Sequence, residues 1–237
     1  MHMKRFLALS AVLLLLFLSA CSSARPADSE TVYAEPELTV TPDEGDLDGL
    51  HYSNPYLALS GVSRNTAQFF SSTYSSIHDE YARQIRAQAK QGAVSFTVTY
   101  EQRAMTSRLI SILRVCTIEN ADGTVTAIPG GETFDPQTGL RQNAQIFFIC
   151  PIEVAKSEMC QLLQPILEDG GYFGFSGLTP VLRDDWSTRL EKVFTQDNFV
   201  LTESGYLVFF TPGQLSDEAV GVYLPYREMT DILVLPQ

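Results

Sequence analysis

Basic side chains are scarce in this sequence. Sixteen Lys and Arg stand against 28 Asp and Glu, a net charge of −12 over 237 residues. A surface of that sign repels phosphate backbones and anionic headgroups, which excludes nucleic acid and direct docking on acidic lipid. Histidine is scarcer still, with His2, His51 and His78 alone. His2 lies in an apolar leader, His51 comes after an acidic stretch, and His78 is expected on a solvated helix face. None of them is placed as a base for a Ser or Cys nucleophile. Gly-x-Ser-x-Gly, His-Glu-x-x-His and phosphate-cradling glycine motifs are missing too. The adjacent acids Asp184 and Asp185 read as the cap of a helix starting at Trp186, with a glycosidase carboxylate pair as the rival reading. A non-enzymatic protein without cofactor or metal is the expectation.

Cysteine is the next shortage, at four residues. Cys21 belongs to the leader, which leaves Cys116, Cys150 and Cys160. An odd number permits one internal pair. Cys150–Cys160 closes the shortest loop and is the first candidate for a disulfide, against the alternative of three buried free thiols. A zinc site would need closer Cys-x-x-Cys spacing or histidine partners.

Long apolar runs are confined to the start. Lys4-Arg5 precede the apolar Phe6–Leu18, too short for an ordinary membrane span. Leu18-Ser19-Ala20-Cys21 then resembles a bacterial lipobox, in which the Cys21 thiol takes the diacylglycerol and the chain is cut before it. Residues 1–20 are accordingly expected to be a lipoprotein signal peptide. The protein is expected to be extracytoplasmic and anchored to the membrane by lipid at Cys21. Lys4 and Arg5 are the leader's only charges, so the mature chain would carry −14.

Acid is abundant in the next stretch. Residues 21–50 hold Asp28, Glu30, Glu35, Glu37, Asp43, Glu44, Asp46 and Asp48 among few large apolar side chains. Such composition predicts a flexible acidic tether. Residues 51–237 are then one domain. Phe70, Tyr74, Ile77, Tyr81 and Ile85 recur at steps of three and four and predict a helix over Ser63–Lys90, stopped by Gly92. Val94, Phe96, Val98 and Tyr100 alternate as in a half-buried strand. Further strands are expected over Leu109–Ile118 and Thr124–Ile128, joined at Asp122-Gly123, with Pro129-Gly130-Gly131 as a loop. Ala144–Cys150 reads as a strand and Glu153–Glu168 as a helix carrying Pro165. Trp186, Leu190 and Val193 mark a short helix. Phe199–Thr202, Tyr206–Phe210 and Val220–Tyr226 predict three closing strands, and Arg227–Leu235 a last helix. Grouped rather than alternating elements point to an α+β fold, an antiparallel sheet packed with two or three helices.

Several pieces of this pattern look familiar. The turn Phe134-Asp135-x-x-Thr138-Gly139, the pair Phe199–Phe209 read as Phe-x-Leu-Thr-x-x-Gly, and the Gly-x-x-x-Pro-Tyr run from Gly221 to Tyr226 occur in this order. Together they resemble the RsiV-like extracytoplasmic domain, shared by a lysozyme-binding anti-sigma factor and a peptidoglycan deacetylase. The resemblance covers residues 52–237. It implies a binding or sensing role toward a cell-envelope ligand, with a lysozyme-like protein or peptidoglycan as partner. An envelope enzyme acting on peptidoglycan through its acids, and a structural accessory lipoprotein, are the alternatives. The deacetylase carries its catalysis on a separate domain, and an anti-sigma factor needs a crossing helix for which residues 1–21 leave no room. Two pieces depart from the pattern. Asp217–Gly221 stands where the domain has Pro-Tyr-Ala-x-Gly, and Gly130-Gly131-Glu132-Thr133 where it has Gly-Gly-Ala-His.

Overall fold

The computed structural model describes residues 35–234. Its longest element is helix α1 (Arg64–Gln91), opened by the Ser63 hydroxyl, which accepts from the Thr66 amide at 3.1 Å. Gly92, left-handed at φ 86°, closes it. The expected apolar stripe faces inward, with Phe70, Tyr74, Tyr81 and Ile85 buried. It lies on a five-stranded sheet. Strands β5 (Ala93–Met105), β6 (Ile110–Asn120) and β7 (Val125–Phe134) form an antiparallel meander, and the hairpin β2 (Glu44–Leu47) and β3 (Leu50–Ser53) extends it along β5, giving the order β2-β3-β5-β6-β7. The β3–β5 pairing is parallel. A separate ribbon pairs β1 (Glu37–Thr41) with β4 (Tyr56–Ser60), whose Leu57 and Leu59 join the α1 side of the core.

A second sheet, antiparallel throughout, runs β8-β11-β10-β9, from β8 (Tyr172–Gly174), β9 (Phe199–Leu201), β10 (Gly205–Phe210) and β11 (Val220–Pro225). It packs on the first sheet through Leu113 of β6 against Val200, Leu207 and Phe209. Its other face carries helices α2 (Ile152–Glu168) and α3 (Trp186–Val193) on Leu201, Tyr206, Val208, Phe210 and Val222. The strand period of two produces this division: Val200, Leu207 and Phe209 point one way, their neighbours the other. The result is four layers, helix on sheet on sheet on helices, an α+β single-domain fold. The closing unit is pinned from its own turn. Thr202 accepts from the Gly205 amide at 3.0 Å through its hydroxyl, and the Tyr226 hydroxyl donates to the Thr202 carbonyl at 2.8 Å. The Pro-Tyr run thus clamps the Thr-x-x-Gly hairpin.

Four expectations need correction. From residue 37 the acidic stretch is strand rather than tether. Glu37, Glu44, Asp46 and Asp48 are exposed while Asp43 turns in to His78, and Asp48 (φ 51°) and Gly49 (φ 87°) form a tight hairpin turn that composition alone concealed. Gly130 and Gly131 lie inside β7. A Cβ on Gly131 would overlap Val200 of the second sheet, and one on Gly130 would meet the Arg114 guanidinium. Two close approaches, one per face, account for the pair. Residues 144–150 are a 3-10 turn (Ala144–Phe147) and a loop, because the Asn143 side chain caps the Gln145 amide at 2.9 Å. The last helix is a single 3-10 turn (Tyr226–Glu228), after which Leu233 bridges to Phe148.

Candidate binding cleft

The turn after β7 sets the site. The Asp135 carboxylate accepts from the Gln137 amide at 2.7 Å, and its carbonyl accepts from the Gly139 amide at 2.8 Å. Gly139 is left-handed (φ 73°) and rests on the Thr66 backbone so closely that a Cβ would overlap it. The Thr66 hydroxyl donates to the Gln137 carbonyl at 2.6 Å. The Asp-x-x-Thr-Gly turn is therefore a dock for the start of α1. It reverses the chain so that Arg141 bridges back to Phe134 and the Gln142 amide donates to the Thr133 carbonyl at 2.7 Å.

Beyond the turn, residues 141–156 wall a groove whose opposite side is the α3–β9 loop. Its polar half, about 230 Å³, is lined by Thr133, Arg141, Gln142, Asn143, Gln196 and Asp197. Its apolar half, about 380 Å³, is lined by Phe148, Ile152, Lys156, Met159 and Phe194. Gln196 and Phe199 belong to both, so the halves adjoin. An ion pair closes the polar end, Arg141 Nη2 to Asp197 Oδ1 at 2.8 Å, with both side chains about half exposed. A pair so wet contributes about 0–1 kcal/mol to stability, a weak clasp across the end of the groove.

Buried Asn198 and exposed Gln145 hold the two walls. Asn198 accepts from the Thr195 amide at 2.6 Å and donates to the Phe209 carbonyl at 2.9 Å, which fixes the loop carrying Gln196 and Asp197. Pro151 offers helix α2 no capping side chain. Gln145 supplies one instead: its Oε1 accepts from the Ile152 amide and its Nε2 donates to the Cys150 carbonyl, both at 2.8 Å. Outside the groove, the same wall carries Leu140, Ile146, Ile149 and Val154, each about half exposed or more.

A cluster of interacting, perturbed groups lies elsewhere, between α1 and the first sheet. Arg114 Nη1 donates to Glu132 Oε1 at 2.7 Å, and the Tyr74 hydroxyl to Glu132 Oε2 at 3.3 Å. The guanidinium carbon sits 5.6 Å from the Tyr81 ring centroid. Burial pushes the Tyr81 hydroxyl and the Cys116 thiol each up to about 12. Burial also raises Tyr74 and Tyr100. Desolvation opposes the charge of Arg114, and the Glu132 carboxylate together with Tyr81, Tyr100 and Tyr74 more than offsets it, so Arg114 titrates above its ordinary value. The cluster is packed under the helix and is a structural device.

The residues singled out from sequence do not converge. Cys21 lies outside the described residues, as do residues 1–20, the expected signal peptide. Cys116, Cys150 and Cys160 are free thiols, and no bond joins Cys150 to Cys160. Cys150 precedes α2 and Cys160 lies eight residues past Ile152, about 12 Å along the axis, beyond disulfide reach. Asp185 occupies the N-terminal position of α3, yet its carboxylate takes Arg189 Nε at 2.7 Å rather than capping an amide, and that bond holds it below the usual range. Neither Asp184 nor Asp185 lines the groove. His51 is exposed on β3 beside Asp46. His78 is buried, not solvated: its Nε2 lies 2.9 Å from Asp43 Oδ2 and its ring stacks on Tyr56 at 3.8 Å. The groove residues were missed because they are ordinary amides and acids in loops. The signal available was the run of loop polar residues Arg141-Gln142-Asn143 between two apolar stretches.

No family model matches the chain, and no curated protein matches it. Among solved structures, the fold is that of a DUF3298 family protein from Pseudomonas aeruginosa PAO1, at a TM-score of 0.52 and 11% identity over 85% of this chain and 94% of that one. A DUF3298 family member from Bacteroides fragilis NCTC 9343 aligns at a TM-score of 0.48 and 11% identity, over 86% of this chain and 95% of its own.

Proposed function

We propose that this protein is a binding or sensing module of the bacterial cell envelope, anchored by acylation of Cys21 and held outside the membrane, and that its partner is a basic, lysozyme-like protein. The observation that supports this most is the wall of residues 140–154. It lines a groove with polar and apolar halves and presents Leu140, Ile146, Ile149 and Val154 to solvent. Exposed apolar side chains gathered beside a polar rim suit a protein interface, where an apolar centre is ringed by charge. The net charge of −12 favours a basic partner and speeds encounter with it. Thr133 lines the groove where the RsiV-like domain carries histidine, so the contact there is a hydroxyl.

Association of the full chain with lysozyme and with peptidoglycan fragments tests the reading. Saturable binding to lysozyme is expected, weakened about tenfold or more by Ile149→Glu, which places a charge in the apolar centre. Failure to bind lysozyme at all overturns the partner class.

A further inference from the structure

The two sheets do not cover one another fully. Leu113 of the first meets β9 and β10 of the second, while β11 and β8 extend past the overlap. The uncovered margin forms a wedge of about 400 Å³, within the ordinary range of small-ligand sites. Glu101, Gln102 and Arg103 of β5 wall one side. Phe173, Leu207, Tyr223 and the Thr202–Ser204 turn wall the other.

The aromatic side is unusual in its glycines. Phe173 pairs with Gly221 across β8–β11, and a Cβ on Gly221 would overlap the Phe173 ring. A Cβ on Gly205 would likewise lie 2.9 Å from Tyr223 Cζ. Each ring thus lies down over a neighbouring strand's glycine instead of standing off the sheet. Both rings stay partly open, Phe173 43% and Tyr223 40% exposed, with Phe175 tilted against Phe173 at 5.3 Å between centroids. The Tyr223 hydroxyl is tied to Ser204 Oγ at 2.6 Å, which fixes that ring in place. Strand register makes the two residues diagonal neighbours, about 7–8 Å apart on one face.

Planar polar groups surround these rings. Arg103 Nη2 pairs with Glu101 at 2.8 Å, and its buried Nε has no acceptor among the described residues. Gln102 and Glu203 complete the rim. With Arg103 matched by Glu101, the surplus charge at the wedge is the Glu203 carboxylate. Anionic ligands are disfavoured there.

We infer that the wedge is a binding site for an uncharged oligosaccharide of hexose or N-acetylhexosamine units. The apolar C–H face of a pyranose stacks on a flat aromatic ring, and its equatorial hydroxyls meet carboxylate, amide and guanidinium groups at the ring edge. Fixed, partly open, flat-lying rings with planar polar neighbours supply both requirements. This goes beyond the proposed protein partner and uses another surface, resting on that reading only for the envelope as the source of the glycan.

Calorimetric titration of the full chain with N-acetylglucosamine tetramer and with cellotetraose tests it. At least one of them is expected to bind with a Kd below about 10 mM, and Phe173→Ala and Tyr223→Ala should each weaken it about tenfold. Ile149→Glu, on the outer wall beside the other cleft, should leave sugar binding unchanged. Hydrogen exchange on the unmodified chain gives a readout independent of variant folding: sugar should protect residues 101–103 and 202–207. No saturable binding of either sugar, or binding that neither aromatic variant changes and that protects other segments, overturns the inference. Loss of lysozyme binding alone would leave it standing.

Discussion

The two helix-covered cores of this molecule are built in opposite ways. On the α2/α3 side, Leu163, Leu167, Leu201, Val208, Phe210 and Val222 belong to one continuous apolar cluster. On the α1 side, the inward strip of β6 reads Ile110, Ile112, Arg114, Cys116, Ile118, and the apolar contacts fall into two clusters on either side of Arg114. An ion pair stands where the other core would have leucine. Such a pair adds little net stability over an apolar replacement, but it specifies an arrangement. Arg114 and Glu132 meet only in the observed β6–β7 register. A one-residue slip would turn Arg114 into the dry contact with Val200 and Leu207. The α1 half is thereby fixed in register. Both proposed binding surfaces lie at the second sheet's margins and take a wall from the first, Thr133 of β7 in the groove and Glu101–Arg103 of β5 in the wedge.

The comparison breaks most readily at the ion pair. Glu132→Gln leaves a buried guanidinium without its counter-charge and should cost about 3–5 kcal/mol in urea unfolding. Arg114→Met with Glu132→Leu should recover most of that loss. A Glu132→Gln loss under about 1 kcal/mol would mean the pair is solvated and the contrast unfounded. In the apolar half, Leu163→Ala should cost about 2–5 kcal/mol, and no second substitution of a polar partner should rescue it.

The contact between the halves is sharper to test at Gly131. Gly131→Ala should destabilise by about 1–3 kcal/mol through overlap with Val200, and Val200→Ala should relieve it. Alkaline pH probes both halves together. Burial raises Tyr81 and Cys116 to about 12 on one side, and Tyr226 to about 12 and Cys160 to about 11 on the other. Each folded value lies above its unfolded one, so the contribution is complete below pH of about 9 and is lost as pH rises toward 12. The urea midpoint should fall steadily above pH of about 9. The smallest effect belongs to the clasp. A double-mutant cycle on Arg141 and Asp197 should give a coupling of at most about 1 kcal/mol in stability.

Much of the frame was legible because its signals are periodic. The stripe Phe70 to Ile85 and the alternation through Phe96 and Val98 announce buried faces at steps of 3.6 and 2, and the strands of Phe199–Phe210 read as apolar throughout. The family-like turns at Asp135-x-x-Thr138-Gly139, Thr202-x-x-Gly205 and Pro225-Tyr226 proved to hold elements together, which is why they could be read as fold and say little of function. The failures share a cause. Gly130-Gly131 looks like a loop until a second sheet needs the space. His78 looks solvated until Asp43, 35 residues earlier, folds over it. Both depend on contacts distant in sequence. The groove and the wedge were invisible for the same reason, since each joins segments far apart along the chain.

The central claim is that the margins of the second sheet bind while the Arg114–Glu132 pair holds register. Calorimetric affinity for lysozyme, compared between Ile149→Glu and the Arg114→Met/Glu132→Leu pair, tests it directly. The account predicts that Ile149→Glu loses binding with its unfolding midpoint unchanged, while the double variant binds as the unaltered chain does. Binding that survives Ile149→Glu and disappears with the ion pair would contradict it.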